Sequence, residues 1–501
     1  MLVLLRFSGE ISTKARQTRI SFTHRLVHNI SSALKSENIK FELRKEWSRI
    51  FLETADPKAL GLLSHVFGIR SLSVVERLKV ENLEEIVSAG VRKFCDLVSG
   101  KSFAVRARRA GGVKDPRFPS KHIESMLGAR LLPYAKEVNL SQPEITVNIE
   151  IHGNEAYFFT EMIPGPGGLP LGTQERAVAL ISGGFDSAVA AWQVLKRGVA
   201  LDYLFLNLAG RAHLASMLPV LKILADHWSH GDLPKLYVVD FLPVIQNMQA
   251  KTEMRYWQVL LKRQMVRAAG SVAEGLGSYA LVTGEAIGQV SSQTLPNLAV
   301  ISEATSLPIL RPLVGFDKHE IIERARDIGT AELSKNVEEY CALVARNPAT
   351  SASLTRIKEQ EQLMDFSILE RAVKERAELD LLLLDSHLAD PLEFAIEEVP
   401  DEALVIDLRP FNSYRAWHFP RAIHLDFFKA LADFESVSLD RDRPIVLYCE
   451  IGVKSAQLAE RMRQAGYQSY HFAGGMKKVM AHAIERELVP IELLPPSAWP
   501  D

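Results

Sequence analysis

Cysteine is scarce in this chain. Three occur in 501 residues, Cys95, Cys341 and Cys449, with no Cys-x-x-Cys pair. That excludes a disulfide scaffold and argues against a structural zinc or a cysteine-rich iron–sulfur site. Long apolar runs are also missing: nothing approaches the ~20 residues of a membrane span. Residues 1–6 are too short for a signal peptide and read as a strand, so a cytoplasmic location is expected. Neither sign of charge dominates. The net charge is −2, so any nucleic-acid surface must be local. Two common nucleotide motifs are absent. Ser99-Gly100-Lys101-Ser102 imitates the end of a Walker A loop, but Cys95 stands at the required upstream glycine. No Gly-x-Gly-x-x-Gly follows a strand, which removes support for a dinucleotide fold. Internal repeats and low-complexity tracts are lacking too.

What remains is a globular composition, 47% hydrophobic and 24% charged, long enough for roughly three or four domains. Four blocks are expected. Residues 1–57 alternate strand and helix. Residues 58–162 do the same and end at a Pro/Gly-rich joint, 163–172. Residues 173–390 alternate buried strands with helices, which predicts a parallel sheet. A charged helical stretch, 368–384, leads to a last small α/β unit at 401–485.

The most informative run is 177–187. Val178, Leu180 and Ile181 read as a buried strand. Ser182-Gly183-Gly184-Phe185-Asp186-Ser187 then reads as a tight turn opening a helix. Glycines let the backbone approach a ligand, and a helix N-terminus offers free N–H groups to an anion. Asp186 adds a carboxylate that suits a hard cation such as Mg²⁺. The pattern resembles the pyrophosphate loop of ATP pyrophosphatases, which cleave ATP between the α and β phosphates.

Two other features carry chemistry. Between Lys101 and Lys121 lie seven basic residues, among them Arg106, Arg108, Arg109, Lys114 and Arg117, against one acidic residue, Asp115. Such a patch can neutralise several phosphates. Further on, residues 444–448 read as a buried strand followed by Cys449, a short loop closing at Lys454, and a helix. A cysteine at a helix N-terminus faces N–H groups that stabilise a thiolate or persulfide. Cys95 lies on an apolar helix face with Val91, Phe94 and Val98 and reads as core.

Several stretches in order resemble one family: 167–174, 181–187, 206–213, 283–294, 316–320 and Glu339-Tyr340-Cys341. Over nearly its full length the chain resembles the bacterial tRNA sulfurtransferases, the tRNA 4-thiouridine synthetases, in their long, rhodanese-bearing form. The resemblance implies an α/β multidomain protein: an N-terminal ferredoxin-like domain, a THUMP domain that grips tRNA, a parallel-sheet ATP pyrophosphatase (PP-loop, HUP-like) domain and a C-terminal rhodanese domain.

It also implies roles. Leu180, Ile181, Ser182, Gly183, Gly184, Ser187, Lys262, Gly284 and Gln293 would contact ATP, with Asp186 holding Mg²⁺. Lys318, beside an expected Asp317/Glu320 capping box, becomes a catalytic candidate. Lys101, Arg106, Arg108 and Arg109 would contact tRNA. Cys449 would carry a persulfide and form a disulfide with Cys341 during turnover, the rhodanese domain swinging on a connector. A cysteine desulfurase is the implied sulfur donor, and a thiazole-synthesis sulfur carrier protein a second partner. A carrier acting mainly in thiamine synthesis is the alternative function. Lys454 replaces the arginine that often closes a rhodanese loop, and Met476 stands where tryptophan is common. Lysine keeps the charge without the planar fork, which argues against thiosulfate as donor.

Overall fold

A computed structural model describes residues 1–46, 49–110, 118–208, 210–335, 337, 347–384, 393–450, 452–486 and 488. Cys341, Lys114 and Arg117 lie outside the described residues. The chain divides into two compact units. One comprises Met1–Glu175 with Val194–Ala200 and His227–Asp232; the other comprises Arg176–Gln193, Leu201–Asp226 and Leu233–Asp501.

The first unit is built on one nine-stranded sheet. Its strands are β1 (Leu2–Phe7), β2 (Phe41–Lys45), β3 (Arg49–Thr54), β4 (Ile69–Lys79), β5 (Ser102–Arg109), β6 (Glu137–Val138), β7 (Ile145–His152), β8 (Glu155–Phe159) and β9 (Ile163–Pro164). The order is β2-β3-β1-β4-β8-β7-β5-β6, with β9 also paired to β4. Its helices are α1 (Gly9–Ser12), α2 (Arg16–Ser36), α3 (Lys58–Leu63), α4 (Leu83–Val98) and α5 (Ser120–Leu131). In α2, Phe22, Leu26, Ile30 and Leu34 recur every fourth residue and are buried on one face, each contributing ~1.5–3 kcal/mol by leaving water. Asn82 caps α4 by accepting the Glu85 N–H.

The boundary expected at 57/58 is displaced. Ala59 and Leu63 of α3 belong to the core beneath β1 and α2. β4 then serves both halves, pairing with β1 through 69–75 and with β8 through 76–79. A second core, under α4 and α5, collects Phe94, Phe103, Val105, Leu127 and Val147. Cys95 is half-buried against that core rather than inside it. The joint at 163–172 is pinned, because Arg25 and Asn29 both donate to the Leu171 carbonyl, at 2.7 and 3.0 Å.

An ion cluster ties the two halves of this sheet together. Glu150 on β7 accepts from Arg6 Nε of β1 at 3.0 Å and from Arg49 Nε of β3 at 2.6 Å. His152 Nε2 lies 3.0 Å from the same carboxylate. Burial alone would raise the Glu150 pKa. The His152 contact and the two guanidinium charges outweigh it and hold it down at about 2.

The second unit holds two sheets. The larger comprises β10 (Gln174–Leu180), β11 (Val199–Asn207), β12 (Lys235–Asp240), β13 (Leu281–Val282), β14 (Ile309–Leu310) and β15 (Ala377–Asp380). Its order is β14-β13-β10-β11-β12-β15. Helices α6 (Phe185–Leu195), α7 (Gly210–Trp228), α8 (Leu242–Lys251), α9 (Trp257–Gly275), α10 (Leu295–Ser302), α11 (Lys318–Asp327), α12 (Ala331–Ser334), α13 (Leu354–Gln362) and α14 (Phe366–Lys374) accompany it. The pairs β10–β13, β13–β14 and β11–β12 are parallel, as expected.

The stretch expected to be helical through 384 is not. α14 stops at Lys374, and β15 adds an antiparallel edge strand to β12. Arg376 over the Tyr237 ring, and a Lys235–Glu378 ion pair, hold that edge strand in place.

The smaller sheet is all parallel, β16-β20-β19-β17-β18. Its strands are β16 (Ala395–Ile396), β17 (Leu404–Asp407), β18 (Ile423–His424), β19 (Ile445–Tyr448) and β20 (Ser469–Phe472). Helices α15 (Phe411–Ala416), α16 (Phe427–Asp433), α17 (Val453–Gln464) and α18 (Gly475–Glu485) complete it. Among the described residues no helix is long and apolar enough to cross a membrane.

Candidate active site

The loop at 181–187 leaves β10 at the carboxyl ends of the parallel strands and enters α6, where ligands bind in such sheets. Ile181 is buried, and its N–H donates to the Leu204 carbonyl on β11. Gly183 has φ +80°, the left-handed region that favours glycine. Ser187 Oγ accepts the Ser182 N–H at 3.2 Å and lies 3.2 Å from Ser182 Oγ. It also donates to the Gly184 carbonyl at 3.2 Å. The two serines thus hold the loop closed on itself, with their hydroxyls side by side.

A second chain segment presses on this loop. A Cβ on Gly284 would stand 2.6 Å from the Asp186 carbonyl carbon and 2.8 Å from the Ser187 nitrogen, so only glycine permits the approach. Glu285 turns its carboxylate inward, onto Arg311 Nε at 2.7 Å and Thr283 Oγ1 at 3.1 Å. Gln293 is buried and its Oε1 accepts the Ala286 N–H at 3.3 Å, which shapes the segment rather than leaving it a free loop.

Asp186 is held from two sides. Lys318 Nζ lies 2.9 Å from Oδ1, and Gln289 Nε2 donates to Oδ2 at 3.0 Å. Lys318 is the first residue of α11, whose Asp317/Glu320 capping box forms as expected. Its ammonium also sits over the Phe185 ring, 5.6 Å from the centroid. The structure therefore brings Ser182, Gly183, Gly184, Asp186, Ser187, Gly284 and Lys318 into one cluster. Leu180 ends β10 beside them. Lys262 lies half-buried on α9. The partnership of Gln289 with Asp186 was missed by sequence reasoning, although Gln289 falls inside the 283–294 stretch.

Magnesium fits this site in one way. Among the described residues no three His, Cys, Asp or Glu side chains converge on a metal position. Asp186 is a single carboxylate, and one carboxylate with phosphate oxygens and waters is an ordinary Mg²⁺ environment. A single carboxylate suits an ion that arrives with nucleotide.

Cys449 follows β19 directly and is buried, 2% exposed. Its Sγ accepts the Gly452 N–H at 3.2 Å and the Ser455 N–H at 3.4 Å, with Ser455 Oγ at 3.6 Å. These are the donors at the start of α17, and they favour negative charge on sulfur. Lys454 lies over the Phe427 ring, 5.8 Å from its centroid. Behind the loop, Tyr448 donates to Asp407 at 2.8 Å, and Asp407 is paired with Arg409 at 2.8 Å. Burial, with Asp407 beside it, pushes the Tyr448 pKa up. Tyr448 remains a donor that fixes the strand end carrying Cys449.

On β5, Phe103, Val105 and Ala107 enter the core, so Arg106 and Arg108 share the other face. Arg106 Nη2 donates to the Leu140 carbonyl at 2.5 Å. Arg108, Arg109 and Lys101 are exposed.

Comparison with known proteins decides the family. A tRNA sulfurtransferase from Desulfurococcus amylolyticus is 37% identical over 481 residues, spanning 95% of this chain and 98% of the relative. The chain belongs to the tRNA sulfurtransferase family. A relative of the same name from Yersinia pestis is 34% identical over 93% of this chain and 98% of its own length, so the likeness extends to archaeal and bacterial sequences alike. By segment, residues 2–73 match the ThiI ferredoxin-like domain and residues 80–161 the THUMP domain. Residues 172–366 match the family described as thiamine biosynthesis protein (ThiI), and residues 392–482 the rhodanese-like domain. A solved 4-thiouridine synthetase–RNA complex with bound ATP is 29% identical, with a TM-score of 0.64, covering 75% of this chain and 98% of that one.

Proposed function

We propose that this protein is an ATP-dependent tRNA sulfurtransferase that replaces the C4 oxygen of uridine 8 by sulfur. The observation that carries the reading is the pair of sites in the second unit: a glycine loop ending in Asp186, and a cysteine whose sulfur accepts two backbone N–H groups.

In this reading the uracil O4 attacks the α phosphorus of ATP, and pyrophosphate leaves. Ser182, Ser187 and the loop N–H groups bind phosphate, while Leu180, Ile181, Lys262, Gly284 and Gln293 line the nucleotide site. Lys318 neutralises charge that grows on the transferring group. Asp186 would hold Mg²⁺, which screens phosphate charge when bound. The terminal sulfur of a Cys449 persulfide attacks C4, and AMP leaves with the oxygen. A Cys341 thiolate then attacks Cys449 Sγ, which releases the thiolated base and leaves a Cys341–Cys449 disulfide for an external dithiol to reduce. A cysteine desulfurase loads Cys449. Lys101, Arg106, Arg108 and Arg109 bind tRNA phosphates. The expected setting is the cytoplasm, where tRNA and reducing thiols meet.

The test is Cys449→Ser. It is expected to abolish 4-thiouridine in tRNA, read by nucleoside mass spectrometry, with tRNA affinity unchanged. A fully active variant would overturn the persulfide role.

A second reading, sulfur supply to a thiazole sulfur carrier protein, is favoured by the core that Cys449 shares with Leu447 on its own sheet and Leu458 and Met462 on α17. It predicts that Asp186→Ala loses 4-thiouridine but still rescues a thiamine auxotroph.

A further inference from the structure

The corner between β11 and α7 touches both sites. Gln457 on α17 is buried and donates through Nε2 to the Leu208 carbonyl at 3.0 Å. Glu460, one turn on, accepts the Arg211 N–H at 3.2 Å. Gly210 allows this approach, since a Cβ there would stand 2.6 Å from Glu460 Oε2. The Glu460 carboxylate thus meets the free N–H end of α7, where a negative charge is favoured. Beside it, Ala212 packs into the same apolar core as Cys449, Leu458 and Ala459.

The same helix reaches the nucleotide loop. Met217, on α7, lies 3.0 Å through Cγ from where a Gly183 Cβ would be. Ala212 and Met217 are five residues apart, about 7.5 Å along a helix axis. One short length of α7 therefore has the cysteine-bearing core at one end and the phosphate loop at the other. Beside the apolar packing of Ala212 the contact has polar members, Gln457 and Glu460. Gln457 Oε1 is buried without a partner in this arrangement. An unpaired buried acceptor costs stability, which suits a dock that closes and releases rather than a fixed seam.

We propose that the β11–α7 corner is the seat on which the rhodanese domain docks for sulfur transfer, with Gln457 and Glu460 as positioning residues. This rests on Cys449 being the sulfur carrier. Neither residue touches reacting atoms; each acts by placing Cys449 relative to the loop at Gly183.

The test uses the full-length enzyme with Glu460→Lys, Glu460→Gln and Gln457→Leu. Three steps are read separately: ATP-dependent pyrophosphate release on tRNA, persulfide loading of Cys449 by mass spectrometry, and single-turnover formation of 4-thiouridine. Glu460→Lys and Gln457→Leu are expected to leave the first two within twofold of native and to slow the third at least tenfold. Glu460→Gln, which keeps an acceptor, is expected to fall between. Hydrogen exchange supplies an independent reading: the Arg211 amide is expected to lose protection in Glu460→Lys. Native single-turnover rates in Glu460→Lys and Gln457→Leu, or an Arg211 amide that exchanges alike in both proteins, would overturn the dock. Failure of the sulfur-carrier reading appears elsewhere, as 4-thiouridine made by Cys449→Ser.

Discussion

Lys318 Nζ and Asp186 Oδ1 lie 2.9 Å apart, although 132 positions separate them in the chain. The lysine side chain is 44% exposed and the aspartate 17%. With the lysine this open to water, the pair contributes little to stability, about 0–1 kcal/mol. In the proposed reading its role is charge placement at the loop. Lys318→Ala is therefore expected to leave the thermal midpoint nearly unchanged and to slow pyrophosphate release by about 10²–10³-fold, the usual cost of losing one preorganised charge partner. Asp186→Ala is expected to stop pyrophosphate release altogether. Stopped-flow phosphate detection with a coupled pyrophosphatase checks both.

Gly284→Ala tests the close approach of two backbones. The new methyl meets main-chain atoms of Asp186 and Ser187, which cannot rotate away as a side chain could. Overpacking of this kind costs about 1–3 kcal/mol. The expected result is a sharp loss of ATP-dependent turnover with tRNA affinity retained, read by filter binding beside the activity assay.

Arg108 is exposed on β5, whereas Arg106 on the same face already holds the Leu140 carbonyl. Arg108→Ala is expected to weaken tRNA binding without changing the fold and to lower the slope of log K against log salt by about 1. Arg106→Ala is expected to cost stability as well, because it releases the chain at Leu140. Binding isotherms at several salt concentrations, with a melting curve for each variant, separate the two effects.

Glu150 sets a pH dependence for the first unit. Its folded pKa, about 2, lies below its ordinary value of 4.5. The stabilisation is complete above about pH 4.5 and is lost as pH falls toward 2, on the order of 3 kcal/mol in all. Glu150→Gln leaves Arg6 and Arg49 facing each other without a counter-charge. A loss of about 3–5 kcal/mol at neutral pH is expected, with a flatter dependence between pH 4.5 and 2. Urea unfolding at pH 7, 4 and 3 measures it.

Much of the site was legible in the chain itself. Strand, glycine turn and helix at 177–187 are local chemistry, and so are the Asp317/Glu320 cap and the cysteine at the head of α17. What was lost was β4. Ser71, Leu72 and Ser73 are buried in succession, Val74 is exposed, and Glu76, Arg77 and Lys79 charge its end. No clean alternation survives, so the boundary expected at 57/58 falls before a strand that the pattern does not show. β15 reads as helix in the sequence for a related reason. Short, charged edge strands take their form from the partner strand rather than from their own sequence.

By itself, then, the sequence determined which segments turn, which cap helices and which side chains can carry charge or sulfur, because those depend on neighbours a few residues away. Which of them meet depends on packing between distant parts of the chain. Gly284 against the Asp186 backbone, Lys318 on the Asp186 carboxylate, and Glu460 at the head of α7 are long-range contacts. They are set by how helices pack on a parallel sheet, and no local pattern encodes that packing.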